Sequence, residues 1–313
     1  MTSKPMNIRN KSNVAIITRT KNRPLFLIRC IKTVLAQQYQ DWIHVIVNDG
    51  GDCCSVDEIV RKNHEAYRNR IKVIHNLQSL GMEAASNIGV KNSESNYITI
   101  LDDDDTWHPD FLSQCITSIT SKRHPKIAGV VTHSSRVLEK VEQNGGEDII
   151  IEIRRKPFNQ YLRTISIFQL AVSNIFTVNS FVFERDALKT VGLYREDLPV
   201  LGDWEFNLRF ALQYEIDVIP STLSFFHVRV KGKNEHAANS IIKNIDEHYF
   251  YKTLIHNEYL RKEILSNQGG LSTIISSHYY FEQSQSKIRF FLRRLFQWIK
   301  KHDSLAVNRY SQK

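Results

Sequence analysis

Short apolar runs recur through the first half of the chain, and the stretches between them carry apolar residues at helical spacing. Residues 14–18 (VAIIT), 43–47 (IHVIV), 71–74 (IKVI), 97–101 (YITIL) and 127–132 (IAGVVT) are too short for helices and rich in β-branched residues, so they predict buried strands. Pro24 opens a helical stretch with Leu27, Ile31, Val34 and Leu35 on one face. Further helices are predicted over 56–67, from Gly81 through Ala84, Ala85, Ile88 and Val90, and from Pro109 onward. Repeated strand-helix units at this spacing imply an α/β fold with a mostly parallel sheet and helices on both faces.

In such sheets ligands bind beyond the carboxyl ends of the strands. Three polar clusters stand at those ends: Thr18, Arg19 and Thr20; Asn48, Asp49 and Gly50; and the acid run 102–105. The second half is less regular. Gly145 and Gly146 mark a turn before a strand at 149–153, but 134–179 otherwise gives no clear period. A strand at 181–183, helices at 185–191 and 203–212, and a strand at 216–219 ended by Pro220 follow. Residues 223–230 are rich in aromatic and β-branched side chains, and the chain reads as helical from 241 onward. No internal repeat occurs.

Composition narrows the function classes. The 313 residues are 42% hydrophobic and 24% charged, as in folded globular proteins. A formal net charge of +9 favours anionic partners such as phosphate-bearing substrates, acidic lipid or nucleic acid. Cys30, Cys53, Cys54 and Cys115 show no metal-ligand spacing, which suggests a reducing cytoplasm. The first residues lack the apolar core of a signal peptide. No apolar run reaches the roughly 18 to 20 residues of a spanning helix.

The acid run carries the strongest chemical signal. Two unit charges about 5 Å apart repel by roughly 3 kcal/mol at an effective dielectric near 20. A divalent cation removes that cost, and carboxylates suit magnesium or manganese, which also take substrate phosphates and water. In an extended segment Asp102 and Asp104 face one way, Asp103 and Asp105 the other. A solvated loop capping the helix near Pro109 is the plainer alternative. The run follows an apolar strand directly and precedes Trp107, which favours a packed site.

Five motifs then occur in order: 14–24 (VAIITRTKNRP), 34–39 (VLAQQY), 47–50 (VNDG), 84–89 (AASNIG) and 101–110 (LDDDDTWHPD). Together they resemble the family 2 inverting glycosyltransferases of GT-A fold, of the bacterial polysaccharide-biosynthesis type, over roughly residues 13–230. The resemblance implies that Thr18, Thr20 and Asn22 form the first nucleotide-binding loop. It implies that Asp49 binds the base, that Asn87 covers the nucleotide, and that Asp102 and Asp103 contact the donor. The resemblance makes Asp104 the leading metal ligand, with Asp102 as a further one, for Mn2+ or Mg2+; it offers His227 as another ligand, with a surface histidine as the alternative. Residues 202–209 (GDWEFNLR) resemble the family's acidic motif at a helix start, which makes Asp203 the general base. Three departures stand out: Arg19 where the family usually has Pro, Ser86 where it often has Arg, and Gly202 where it often has Glu.

The implied organisation is a tail at 1–12, a GT-A domain at 13–240, and a helical extension at 241–313. The domain divides into a nucleotide-sugar half, 13–133, and an acceptor half, 134–240. His236 is a weaker metal candidate, and Arg229, Lys231 and Lys233 could close over phosphates. Residues 287–301 form a basic amphipathic helix, with Phe291, Leu292, Leu295 and Trp298 opposite Arg289, Arg293, Lys300 and Lys301. Such a helix suits an anionic membrane surface, a packed position on the domain, or an oligomer contact. The expected activity is transfer from a nucleoside-diphosphate sugar, UDP-sugar by family frequency, to a glycan or polyprenol-linked acceptor in cell-surface polysaccharide assembly. The expected place is the cytoplasm, peripherally at the inner face of the plasma membrane. A sugar nucleotidyltransferase is the nearest alternative, but residues 18–24 lack the glycines of its usual loop. A nucleic-acid-binding protein is the other, and no recognised motif supports it.

Overall fold

The computed structural model describes residues 12–229 and 245–266, with Gly270 and Ser277. In chain order the elements are β1 (Ser12–Thr20), α1 (Pro24–Leu35), β2 (Trp42–Asp49), α2 (Cys53–Lys62), α3 (His64–Tyr67), β3 (Ile71–Asn76), α4 (Met82–Lys91), β4 (Ser95–Ile100) and β5 (Thr106–Trp107). There follow α5 (Phe111–Thr120), β6 (Ile127–Asn144), β7 (Glu147–Pro157), α6 (Ile167–Val172), β8 (Phe181–Glu184), α7 (Leu188–Val191), α8 (Gly202–Ala211), β9 (Glu215–Arg229) and α9 (Ile245–Ser266). The sheet and its helices lie within the first of two compact units, Met1–Thr253; the second is Leu254–Lys313.

The sheet order is β3-β2-β1-β4-β8-β6-β9-β5, with β7 paired to β6. The first four strands in that order are mutually parallel, as the apolar runs predict. Val14, Ile16, Val45, Ile46 and Val47 are fully buried, because helices cover both faces. β8 enters antiparallel to β4 and β6, and β6 then runs parallel to β9.

On one face Leu27, Ile31 and Val34 of α1 pack with Trp42, Tyr67 and Phe111. A separate aromatic group ties α8 to the sheet: Phe181 meets Phe210 edge-on at 5.1 Å, and Tyr194 stacks on Phe206 at 4.3 Å.

Three local departures have physical causes. The helix expected over 56–67 breaks at Asn63, whose side-chain amide turns back to the Ile59 carbonyl at 2.8 Å. Asp52 caps the first segment through the N–H groups of Cys54 and Ser55. The irregular stretch from 134 resolves into the long β6–β7 hairpin, turning at Gly145 and Gly146, each with positive φ. Pro220 does not end its strand. β9 continues through it, because the β6–β9 register shifts there: Thr132 pairs with Ile219, His133 with Thr222 and Ser134 with Ser224. A bulge leaves the missing N–H of proline without a ladder role.

Gly89 marks the closest approach of α4 to the sheet. A Cβ there would lie 2.3 Å from Cγ2 of Ile17 and 3.4 Å from Cγ2 of Val47. Gly89→Ala gains about 0.5–1 kcal/mol of helix propensity but meets an overpacking cost of about 1–3 kcal/mol. Net destabilisation is expected in chemical denaturation; an unchanged or raised midpoint would contradict this packing.

Candidate active site

The acid run leaves the carboxyl end of β4 as a tight turn, closed by the Asp105 N–H donating to the Asp102 carbonyl at 3.1 Å. The backbone is therefore not extended, yet the side chains still divide two and two. Asp103 and Asp105 are buried at 2% and 3% exposure. Asp102 and Asp104 keep 29% and 13% of their side chains accessible.

Four arginines surround these carboxylates. Arg19 donates to Asp102 Oδ1 through Nε at 2.9 Å and also through Nη2. Arg23 bridges Asp103 Oδ1 at 2.8 Å and Asp104 Oδ2 at 2.7 Å. Arg229 reaches the same Asp104 Oδ2 and, at 3.4 Å, Glu139. Arg29 grips Glu139 through both of its terminal nitrogens and donates to the Asp104 carbonyl. Arg23, Arg29 and Arg229 all lie over the Phe26 ring, 4.4–5.7 Å from its centroid.

Burial raises the carboxyls of Asp103 and Asp105 above the usual range, with Arg23 opposing it at Asp103. Burial also acts on Asp104, but Arg23 and Arg229 outweigh it and hold that carboxyl below the range. Asp104 thus stays ionised where Asp103 and Asp105 are pushed toward their protonated forms.

His227 sits beside the run. Its N–H donates to Asp105 Oδ1 at 3.0 Å, and its ring nitrogens lie 2.8 Å from Glu139 Oε2 and 2.8 Å from Thr106 Oγ1. Burial lowers its pKa, with Glu139 opposing. A metal on Nε2 would have to displace Thr106. His236, Lys231, Lys233 and the 287–301 helix lie outside the described residues.

Among the described residues no three His, Cys, Asp or Glu side chains gather as a metal cluster. The site still fits a divalent ion of magnesium type, which needs only one or two carboxylates. Among the described residues, the hydrogen bonds to Asp102 fall on Oδ1 and those to Asp104 on Oδ2, so each keeps one hard oxygen with no bond to a described residue.

The other expected residues divide by position. Thr20 donates to Asp103 Oδ2 at 2.8 Å, and Asn22, at a positive φ of 52°, accepts from the Asp52 N–H. Both line a cleft of about 220 Å³ together with Arg23, Asp52 and Ser55. Thr18 is fully buried, its hydroxyl 2.9 Å from His44 Nε2, so it faces the core and not that cleft.

Asp49 accepts from Asn76, Ser79 and the N–H groups of Leu80 and Gly81, at 2.7–3.0 Å. Burial pushes its pKa up, but these four bonds outweigh it and hold it low. Its present work is to fold the 76–81 loop over the end of β2. Asn87 clamps Tyr194 by both backbone groups and donates to Glu196.

Asp203 lies in the first turn of α8, where the helix dipole favours an anion. It accepts from Asn174 at 2.8 Å. Burial raises its pKa; the Trp204 N–H and Arg19 oppose. Leu201, just before the helix, holds a left-handed φ of 64°, a conformation that costs a non-glycine residue about 1–3 kcal/mol.

Sequence reading missed Arg23, Arg29, Glu83 and Glu139. Arg23 precedes α1 and Arg29 lies midway along it, where basic residues read as solvated. Glu83 reads as an ordinary acid at a helix start, and Glu139 as one of the alternating charges of a surface strand.

The comparisons with known proteins agree with this architecture. Residues 15–191 match the model described as glycosyl transferase family 2. The chain belongs to that family. YwdF of Bacillus subtilis, an uncharacterized glycosyltransferase, is 25% identical over 224 residues, covering 72% of this chain and 77% of YwdF. WcaA of Escherichia coli K12, a glycosyl transferase named for colanic acid biosynthesis, is 36% identical over 107 residues; the match spans 34% of this chain and only 37% of WcaA.

Among solved structures, S. aureus TarS with UDP-GlcNAc superposes with a TM-score of 0.52 at 18% identity, over 72% of this chain and 60% of that one. The mannosyltransferase PcManGT of Pyrobaculum calidifontis, in complex with GDP-Man and Mn2+, gives 0.53 at 15% identity, over 74% and 62%. At such identities these neighbours show the shared GT-A fold. No described helix is long and apolar enough to cross a membrane.

Proposed function

We propose that this chain is an inverting, divalent-metal-dependent glycosyltransferase. It moves a sugar from a nucleoside-diphosphate sugar to a hydroxyl of a glycan or lipid-linked acceptor. The observation that carries the reading is the acid run at the end of β4. Among the described residues, arginines bond one oxygen of Asp102 and of Asp104 and leave the other without a partner. Neighbours in complex with UDP-GlcNAc, or with GDP-Man and Mn2+, support a nucleotide-sugar donor and a divalent ion. A UDP-sugar is the favoured donor, and WcaA's name supports a role in cell-surface polysaccharide assembly.

Asp102 and Asp104 would hold the ion, which supplies positive charge at the leaving diphosphate. Arg19 and Arg23 stand against the same carboxylates and add to that charge. Thr20 and Asn22 line the donor side. Asp203 takes the acceptor hydroxyl's proton as the oxygen bonds to the anomeric carbon and the bond to diphosphate breaks. Because the attack is direct, the anomeric centre inverts and no covalent enzyme intermediate forms. Residues 13–133 then serve the donor and 134–240 the acceptor.

A panel of nucleotide sugars, each with Mn2+, tests the reading by thermal unfolding and by donor hydrolysis. At a concentration 100 times Kd, a bound donor stabilises by about 2.7 kcal/mol. At least one sugar nucleotide should raise the midpoint only when Mn2+ is present. If none binds, the transferase reading falls; if one binds equally well in EDTA, metal dependence falls.

A further inference from the structure

Glu83 sits in the donor half but reaches the start of α8 in the other, meeting Arg19 on one side and Gly202 on the other. It lies in the first turn of α4 and is 4% exposed. Its Oε2 accepts from Arg19 Nη1 at 3.1 Å, and Arg19 holds Asp102 with its other nitrogens. On the far side Glu83 accepts the N–H of Gly202, the first residue of α8. It thereby caps a helix that has no side-chain cap of its own. The next residue is Asp203, whose charge acts on Glu83.

Gly202 makes room for this contact. A Cβ built on Gly202 would lie 2.2 Å from Glu83 Oε1 and 2.5 Å from both its Cδ and Cγ. No side chain at 202 can coexist with Glu83 in this position. The two residues compete for one volume, and the carboxylate in that volume comes from α4 and not from α8.

We propose that Glu83 is a positioning residue that, through Arg19 and the Gly202 N–H, fixes Asp203 relative to the donor carboxylate Asp102. The proposal rests on the transferase reading above. The polar contacts of Glu83 are with Arg19 and the start of α8. Through them it sets where the α8 start stands against the acid run, and so the distance across which the acceptor proton and the departing diphosphate are handled. Such alignment acts on turnover, since small misplacements of reacting groups cost rate.

Turnover of the donor found in the panel is measured for the full chain and for Glu83→Gln, Glu83→Ala, Gly202→Asp and Glu83→Ala/Gly202→Asp, with thermal unfolding alongside. Glu83→Gln keeps the shape and should lower kcat at least tenfold with donor KM within about threefold. Gly202→Asp alone should be inactive, because two carboxylates meet in one volume. The double variant returns one carboxylate to that volume from the other backbone and should exceed Glu83→Ala in kcat at least fivefold. Full kcat in Glu83→Gln, a loss seen only in KM, or a folded double variant no faster than Glu83→Ala each overturns the proposal. If the double variant does not fold, the kcat of Glu83→Gln decides. A wild-type chain that turns over no sugar nucleotide sinks the transferase reading and this proposal with it; an active wild type with an unaffected Glu83→Gln sinks the proposal alone.

Discussion

Asp203→Asn is expected to lower kcat by roughly 10²–10⁴, the usual worth of a positioned general base, while donor affinity stays within about twofold. Asparagine keeps the shape at the start of α8 and can still meet Asn174, but it cannot accept the acceptor's proton. A residue acting only in the chemical step lowers kcat and kcat/KM together.

The pH dependence follows from the same carboxyl. Burial raises its pKa, so activity should climb with pH through that raised value as the ionised base forms. Stability runs the other way. The folded state holds this proton more tightly than the unfolded chain does, so Asp203 costs stability as pH rises from its unfolded value through its folded one. Asp203→Asn should therefore unfold at or above the wild-type midpoint near neutral pH. An inactive variant that also melts well below wild type would show a structural role, and one with normal turnover would remove Asp203 from the chemistry.

The second large effect is expected at Asp104. Six carboxylates meet here, those of Asp102, Asp103, Asp104, Asp105, Glu139 and Glu83, against four guanidiniums, those of Arg19, Arg23, Arg29 and Arg229. Arg23 and Arg229 hold the Asp104 carboxyl below the usual range, so it stays ionised toward a cation, and Asp104→Asn removes that charge. It also takes one carboxylate partner from each of Arg23 and Arg229, leaving Asp103 to the first and Glu139 to the second. Asparagine is preferred to alanine because its amide oxygen can still meet one guanidinium.

Metal-dependent donor affinity should fall about 100-fold, at the upper end of what metal-site substitutions cost. At a donor concentration 100 times the wild-type Kd, thermal stabilisation would then shrink from about 2.7 to about 0.4 kcal/mol. Titration of donor with and without Mn2+ measures it directly. Unchanged Mn2+-dependent affinity would take Asp104 out of the metal site.

How much of this was legible in the sequence depended on where burial came from. The strands β1, β2 and β4 are covered on both faces, so residues such as Val14, Ile16, Ile46 and Ile98 appear as unbroken apolar runs. The acid run was visible because it follows one of those runs directly.

The β6–β7 hairpin was not visible. Beyond Ser135 the buried Val137 and Glu139 are interleaved with exposed or half-buried residues, and Glu139, 1% exposed, looks like its neighbour charges Lys140 and Glu142 until Arg29 and His227 are brought to it. Glu83 was hidden for a similar reason: its partners Arg19 and Gly202 lie 64 positions before it and 119 after it in the chain. Thr18 was misplaced in depth. A strand-end threonine looks available for ligand, but its hydroxyl belongs to a buried pair with His44.

The shifted register around Pro220 has a consequence for how this chain can vary. If β9 continued in step from the Thr132–Ile219 pair, Glu139 would stand opposite Phe226. In the actual ladder it stands opposite Arg229, three residues further on. Three is odd, so the shift carries Arg229 to the opposite face from the one a straight strand would give it. An insertion or deletion of one residue between 220 and 223 would turn Arg229 and His227 away from the acid run. A change of two would keep the face and move both side chains along the strand by one repeat. The site thus depends on the parity of a short loop-like stretch that touches none of its carboxylates.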